Sequence, residues 1–169
     1  MTSASAVLLS LAAYLFFCKL WPFVFYPNYL RKAKIETYPE LTELAARLKG
    51  SDRVETLRSA YAYMQDTYTG YREIWRIKNL RTLIRIGDFS TEKILSRKQF
   101  LWCHTQNRLL KSILVHTGDF TEKEIVIKRV FDRSFFIHQW LSVQANKHIY
   151  TVDPHCGIFE EHHEAFINA

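Results

Sequence analysis

The chain of 169 residues is long enough for one domain with a hydrophobic core, and 48% of its residues are hydrophobic. This composition, with 15% aromatic residues and no tandem repeat or low-complexity tract, excludes a disordered chain. The net charge of +6 is compatible with an acidic partner, but the basic residues are scattered and form no recognisable nucleic-acid motif, so we expect no nucleic-acid partner.

The chain begins with an apolar run over residues 4–26 that is interrupted by one charge, Lys19. A helix of this length, at about 1.5 Å per residue, suffices to cross a hydrocarbon core of about 30 Å. We therefore predict that residues 1–30 form a hydrophobic helix that anchors the protein in a membrane by a single pass. The alternatives are a signal peptide and a core helix of a soluble domain. Basic residues follow the run and predict a cytoplasmic location for the rest of the chain: Arg31, Lys32 and Lys34.

The next segment, residues 31–52, is predicted to be a connector with one short helix. Its apolar residues recur at helical spacing before Gly50: Leu41, Leu44, Ala45 and Leu48. We assign residues 53–169 to a single globular domain. This domain is predicted to open with an amphipathic helix from Arg53 to near Gly70, followed by a short helix capped by Ser90.

A longer helix is predicted to begin close to Cys103 and to end near Gly118, because Leu109, Leu110, Ile113 and Leu114 repeat on one helical face. A thiol at a helix N-terminus lies at the positive end of the backbone dipole, which favours its thiolate form. Cys103 is therefore a candidate nucleophile. With Cys18 and Cys156 the chain has three cysteines, an odd number that excludes a complete disulfide framework.

Three strand-like runs follow this helix, at residues 124–131, 134–143 and 148–154. The gaps between them are short and polar, which indicates that neighbouring strands are antiparallel. The predicted fold class is α+β, with helices first and an antiparallel sheet after them.

The second of these runs carries a histidine, His138, in a largely apolar strand where a structural role is the ordinary interpretation. Side chains alternate along a strand, so the length of the next loop decides what His138 faces. A two-residue turn at 145–146 would put His138 opposite Asp153. A four-residue loop at 145–148 would put Asp153 opposite Trp140, with His138 as its diagonal neighbour. A three-residue loop would place the two side chains on opposite faces.

With an even loop, Cys103, His138 and Asp153 supply a nucleophile, a base and a carboxylate that orients the base. The same residues carry a resemblance to the transglutaminase-like superfamily of papain-like cysteine enzymes. The family pattern is a Cys that opens a helix, a strand with His-x-Trp, and a following strand that ends in Asp-Pro. Here these are Cys103, His138 with Trp140, and Asp153 with Pro154, and the resemblance covers residues 54–159.

This resemblance implies a papain-like core and a Cys-His-Asp triad made of Cys103, His138 and Asp153. The implied reaction is attack on a protein or peptide amide to form a thioester, and we expect hydrolysis rather than transamidation, with no cofactor. The backbone N–H of Cys103 is the expected first oxyanion donor, with Gln99 and Trp102 as candidates for the second. Trp140 is expected to form a wall of the site.

Two other functions compete with this hypothesis. The first is a zinc site formed by residues of the C-terminal run and the Cys103 region: His155, Cys156, His162, His163, Cys103 and His104. Their spacing matches no familiar zinc motif, so we predict no metal site and a polar C-terminal tail with solvated histidines. The second is a catalytically inactive, membrane-tethered protein-interaction domain of the same fold.

Overall fold

A computed structural model describes residues 3–15, 35, 37–73, 76, 91–96, 100–131 and 137–163. Helices occupy the first part of this range, and a four-stranded antiparallel sheet occupies the last part, in the spatial order β1-β2-β3-β4. The strands are β1 (Ile125–Phe131), β2 (Ile137–Ala145), β3 (His148–Asp153) and β4 (Ile158–His163). The fold is therefore α+β, as the sequence predicts.

The α-helices of the described residues are α1 (Ser3–Leu15), α2 (Pro39–Leu48), α3 (Arg53–Thr67), α4 (Thr91–Leu95) and α5 (Cys103–His116), with single 3-10 turns at Tyr71–Glu73 and Glu122–Glu124. Local sequence explains several of their ends. Asp52 caps α3 by accepting hydrogen bonds from the backbone N–H groups of Val54 and Glu55. Gly118, with a φ of 78°, follows the end of α5. The predicted cap of α4, Ser90, lies outside the described residues.

Helix α5 is the centre of the fold, because it contacts α2, α3, α4 and β2. The hydrophobic core forms around it from the helices and one face of the sheet. Its fully or almost fully buried members include Leu41, Leu57, Met64, Leu109, Leu110, Ile113, Leu114, Ile125, Leu141, Val143 and Val152. Helix α2, in the predicted connector, buries its apolar side chains in this same core.

Strand β2 has one buried set of side chains and one partly exposed set, as its alternation predicts. Gln139, Leu141 and Val143 are buried, whereas His138 and Trp140 belong to the alternate set. One face of the strand therefore packs in the core, and His138 lies on the opposite, partly exposed face.

The turn between β2 and β3 decides how His138 and Asp153 meet. It consists of Asn146 and Lys147, and Asn146 adopts a φ of 57°, which asparagine tolerates better than most residues. Ala145 pairs with His148, so Asp153 lies across from Trp140 and diagonally from His138. Of the loops that the sequence left open, the structure has an even one. The register is the one described for the four-residue loop, but the turn has two residues and lies one position later than the two-residue turn considered at 145–146.

The predicted polar tail at the C-terminus is wrong, because residues 158–163 form the edge strand β4. This strand pairs with β3 along its whole length, from Asp153 with Ile158 to His148 with His163, after a turn in which Gly157 has a φ of 74°. Only Phe159 packs on the core, against the rings of Tyr61 and Tyr150 at centroid distances of 5.1 and 5.6 Å. Because β4 has little hydrophobic periodicity, it forms mainly through its backbone pairing with β3.

Helix α1 corresponds to the first half of the predicted anchor. Its large apolar side chains are exposed, with Val7 at 67% and Leu8 at 66%, and Leu9, Leu11 and Tyr14 are also exposed. Within the described ranges, no helix combines the length and apolar character needed to cross a bilayer. The second half of the predicted anchor, residues 16–26, lies outside those ranges.

A network around Glu124 joins the start of α3 to the start of β1. One carboxylate oxygen of Glu124 accepts hydrogen bonds from the backbone N–H and the hydroxyl of Thr121, both at 2.8 Å. The other oxygen accepts from the guanidinium of Arg53 at 2.7 Å. These contacts, the backbone bond from Thr121 foremost, lower the pKa of Glu124 to about 2.

Replacement of Glu124 by glutamine should lower the free energy of unfolding by about 1 kcal/mol at pH 7, the upper end of the range for ion pairs that remain in contact with solvent. Because the pKa of Glu124 is lower in the folded state, this stabilisation is fully present above the unfolded value of 4.5 and is lost as pH falls through about 2. Urea unfolding of both proteins between pH 7 and pH 2 should show the difference shrinking. Glu122→Gln, on the same turn, is the control. A Glu124→Gln effect of equal size at both pH values would contradict this assignment.

Candidate active site

The imidazole of His138 is hydrogen-bonded to a buried carboxylate. Nε2 of His138 lies 2.5 Å from Oδ2 of Asp153, whose side chain is 3% exposed. The other carboxylate oxygen, Oδ1, accepts from the backbone N–H groups of His155 at 3.1 Å and Cys156 at 3.2 Å. The turn after β3 thus holds the carboxylate in place and leaves Oδ2 directed at the imidazole.

The thiol of Cys103 also contacts the imidazole of His138. Cys103 is the first residue of α5, and Trp102 before it provides no capping side chain, so the positive end of the helix dipole is directed toward the thiol. The side chain of Cys103 is hydrogen-bonded to His138.

These neighbours strongly favour the protonated form of His138. The hydrogen bond to Asp153 contributes most, followed by those to Cys103 and Cys156, and together they raise the pKa of His138 to about 12 despite partial burial. The imidazole is therefore an imidazolium at neutral pH. A cation of this kind beside a thiol stabilises the thiolate, which is the nucleophilic form.

Two other histidines near Cys103 are neutral at the same pH. Burial, with the charges of His155 and Arg108, lowers the pKa of His104 to about 3. Burial lowers the pKa of His155 to about 4, and its Nδ1–H donates to the carbonyl of Leu101 at 3.1 Å. Neither ring carries the charge that a general acid needs at neutral pH, so His138 is the histidine that fits this role.

A second thiol, that of Cys156, also lies at the imidazole. Cys156 is exposed, and its Sγ is 3.8 Å from Nε2 of His138. Sequence reasoning placed Cys156 only in the zinc hypothesis and in the C-terminal tail. Gly157, which follows it with a φ of 74°, allows the tight turn between β3 and β4 that carries Cys156.

Backbone hydrogen bonds from the segment after α3 connect the residues before α5 to the turn after β3. The carbonyl of Thr69 accepts from the backbone N–H of Leu101 at 3.1 Å, and the N–H of Tyr71 donates to the carbonyl of His155 at 2.8 Å. Between them, Gly70 approaches His155 so closely that a Cβ at this position would lie 2.2 Å from the His155 oxygen. Position 70 therefore requires a glycine, because any larger residue would collide with the backbone of His155.

The rings of Trp140 and His155 lie next to the imidazole of His138. The ring of Trp140 stacks on that of His138 with centroids 6.0 Å apart and an interplanar angle of 21°. The ring of Trp102 stacks on His155 at 6.5 Å, so it forms a wall behind the turn that holds Asp153. Oxyanion donation by Trp102 stays a prediction, and Gln99, the other candidate donor, lies outside the described residues.

Asn107 connects the helix that carries the thiol to the strand that carries the histidine, and sequence reasoning did not identify it. Asn107 lies four residues after Cys103, on the same face of α5. Its amide Nδ2 donates a buried hydrogen bond of 2.7 Å to the carbonyl of Gln139, the residue next to His138. This bond sets the distance between the first turn of α5 and strand β2.

Replacement of Asn107 by leucine should lower the free energy of unfolding by about 1–3 kcal/mol, because the carbonyl of Gln139 loses its buried partner. It should also slow alkylation of Cys103, because β2 is no longer held at the first turn of α5. Urea unfolding and iodoacetamide labelling measure the two effects. The matched control is Ser112→Ala on the same helix, which removes a buried hydroxyl that has no hydrogen-bond partner among the described residues. Equal effects of the two substitutions would contradict a positioning role for Asn107.

Comparisons with known proteins found no relative: the chain matches no family model, no curated protein and no solved structure.

Proposed function

We propose that the chain is a cysteine-dependent acyl-transfer enzyme that hydrolyses amide bonds in proteins or peptides through a thioester. The observation that carries this proposal is the imidazolium of His138, which is held between the carboxylate of Asp153 and the thiol of the helix-opening Cys103. The proton carrier is thereby in contact with both the nucleophile and the orienting carboxylate, which is the arrangement that covalent catalysis by a thiol needs.

In the first half of the reaction the thiolate of Cys103 attacks the amide carbonyl carbon. A C–S bond forms, and the carbonyl electron pair moves onto oxygen, where the backbone N–H of Cys103 is the expected donor. The imidazolium of His138 then gives its proton to the amide nitrogen, the C–N bond breaks, and an amine leaves. Asp153 remains ionised throughout and keeps the ring oriented.

In the second half the neutral imidazole takes a proton from water, whose oxygen attacks the thioester carbonyl. The C–S bond breaks, a carboxylic acid leaves, and the thiolate–imidazolium pair is restored. These steps use only groups of the chain and water, and they need no cofactor.

The order of the elements supports a transglutaminase-like, papain-like core. A helix that opens with Cys103 precedes an antiparallel sheet in which His138 lies on the second strand and Asp153 ends the third. Trp140, two residues after the histidine, stacks on the imidazole, and Pro154 follows the carboxylate. The chain thus has the family's motif residues in contact as well as in order.

Replacement of Cys103 or of His138 by alanine should each abolish acylation of the enzyme by p-nitrophenyl acetate, measured as the burst of nitrophenolate. The double variant should be no slower than either single one, because the two residues act as a unit. Asp153→Asn should retain more activity than either, because the carboxylate orients the ring and transfers no proton. All variants carry Cys18→Ser and Cys156→Ser, so that Cys103 is the remaining thiol.

The rate of iodoacetamide labelling against pH provides the control for this series. In the parent, labelling should persist below pH 7, where a free thiol with a pKa of about 8.5 is largely protonated. In His138→Ala the profile should shift toward that of a free thiol, whereas His162→Ala, a histidine of β4, should leave it unchanged. Identical profiles for the parent and His138→Ala would mean that the histidine does not activate Cys103.

One observation favours the alternative, an inactive interaction domain of the same fold. Cys103 is only 5% exposed, whereas the nearby Cys156 is exposed. A buried, inert Cys103 would leave Cys156 as the thiol that reacts at the site. Labelling of Cys156→Ser therefore separates the two functions, since the enzyme retains a reactive thiol at position 103 and the inactive domain does not.

We further propose that the N-terminal segment attaches the protein to a membrane, with the folded domain on the cytoplasmic side. The support is the apolar run of residues 4–26 and the exposure of the apolar side chains of α1. An amphipathic or apolar helix that leaves such side chains in water gains free energy when lipid covers them.

The full chain should sediment with membranes at high speed, whereas a chain shortened to begin at Lys34 should stay in the supernatant. Replacement of Leu8 and Leu11 by aspartate in the full chain should reduce the membrane-bound fraction, because two exposed apolar side chains become charged. Retention of the full chain in the supernatant, or aggregation of the shortened one, would indicate that the segment belongs to the core of the domain.

A further inference from the structure

The side chains of Asp153 and Cys156 both approach Nε2 of the His138 ring. The ligand atoms of His138, Asp153 and Cys156 all lie within 4.8 Å of one another. They are an imidazole nitrogen, a carboxylate oxygen and a sulfur, which are the ligand types that Zn²⁺ takes in proteins. Within the part of the chain that the structure describes, this set has three members, and Cys103 is not one of them.

We propose that His138, Asp153 and Cys156 form a binding site for Zn²⁺ that inhibits the enzyme. The ligand atoms are Nε2, Oδ2 and the thiolate Sγ, and water fills the fourth position on the solvent side, where Cys156 is exposed. The inhibition rests on the proposed function, whereas the binding of the metal does not.

The distances between the ligand atoms fit a tetrahedral zinc ion if the carboxylate of Asp153 moves slightly. With bonds of about 2.3 Å to sulfur and about 2.0 Å to nitrogen, the two ligand atoms of a tetrahedral zinc are about 3.6 Å apart. Nε2 of His138 and Sγ of Cys156 are 3.8 Å apart. Oδ2 of Asp153 is now 2.5 Å from Nε2 and would have to retreat by about 0.8 Å, a small rotation of the carboxylate.

The metal would replace the proton that His138 and Asp153 share. No covalent bond changes: Zn²⁺ enters, the Nε2 proton leaves to solvent, and the thiol proton of Cys156 leaves with it if the thiol is protonated. The site then loses the imidazolium that acid catalysis needs, and Asp153 ligates the metal instead of orienting the ring. Inhibition therefore follows without any bond between zinc and the nucleophile.

The identity of the sulfur ligand distinguishes this site from simple capture of zinc by the catalytic pair. Asp153 and Cys156 both contact Nε2 of His138, and the set of ligand atoms that lie within 4.8 Å of one another contains Cys156 but not Cys103. The proposal accordingly assigns Cys156, and not the nucleophile, as the thiolate ligand.

Titration with Co²⁺ alone tests this assignment, because a cobalt–thiolate bond produces a charge-transfer band in the near ultraviolet. The full chain with Cys18→Ser, kept reduced, should show the band, and Zn²⁺ should remove it stoichiometrically. Further replacement of Cys156 by serine should abolish the band, whereas replacement of Cys103 by serine should retain it. A band that survives in Cys156→Ser, or that is lost in Cys103→Ser, would overturn the proposal.

Affinity and inhibition provide two independent measurements. Asp153→Asn should raise the zinc dissociation constant by about tenfold or more, and His162→Ala should leave it unchanged. Saturating Zn²⁺ should slow p-nitrophenyl acetate acylation by about tenfold or more, and the Cys156→Ser variant, compared with its own metal-free rate, should resist this effect. If no variant is acylated at all, the proposed function fails, and the cobalt band alone decides the metal site. Equal zinc affinity in Asp153→Asn and the parent would contradict the ligand set.

Discussion

The hydrogen bond between His138 and Asp153 is the interaction on which the site depends. It joins two strands, and it pairs the imidazole with a buried carboxylate whose second oxygen is bound by two backbone N–H groups. A buried carboxylate is costly unless it is paired and fully hydrogen-bonded, so the imidazolium and the turn after β3 are what make its burial possible. The charge on His138, and with it any activation of Cys103, follows from this pair.

The remainder of the fold keeps this pair next to the start of α5. The helix is held by contacts with three other helices and with β2, and the buried amide of Asn107 connects it to the strand beside His138. The segment at Gly70 connects the residue before Trp102 to the turn that carries His155. Helix, strand and turn are therefore joined by hydrogen bonds at three places around the site, and the apolar core supports each of them from behind.

Two thiols, those of Cys103 and Cys156, contact the imidazole of His138. Cys103 is buried at a helix N-terminus, whereas Cys156 is exposed in a turn and contacts the nitrogen that Asp153 binds. Under the two proposals, catalysis and metal binding are mutually exclusive states of His138, distinguished by whether Nε2 holds a proton or a cation.

The sequence by itself determined the features that depend on local periodicity. The helices followed by the first three strands and the start of α5 at Cys103 follow from spacings of three to four and of two. Helices α2 and α3 were predictable for the same reason, since their apolar side chains recur within one or two helical turns.

Only the tertiary structure decided the features that join residues distant in the chain. The register that puts Asp153 opposite Trp140 depends on where the turn closes, and strand β4 exists because β3 offers it an edge, although its own composition is polar. The contact of Cys156 with His138 spans 18 residues, and the hydrogen bond of Asn107 to Gln139 spans 32. Such contacts carry no signal in local spacing, because their free energy arises only after the core has brought the helix and the sheet together.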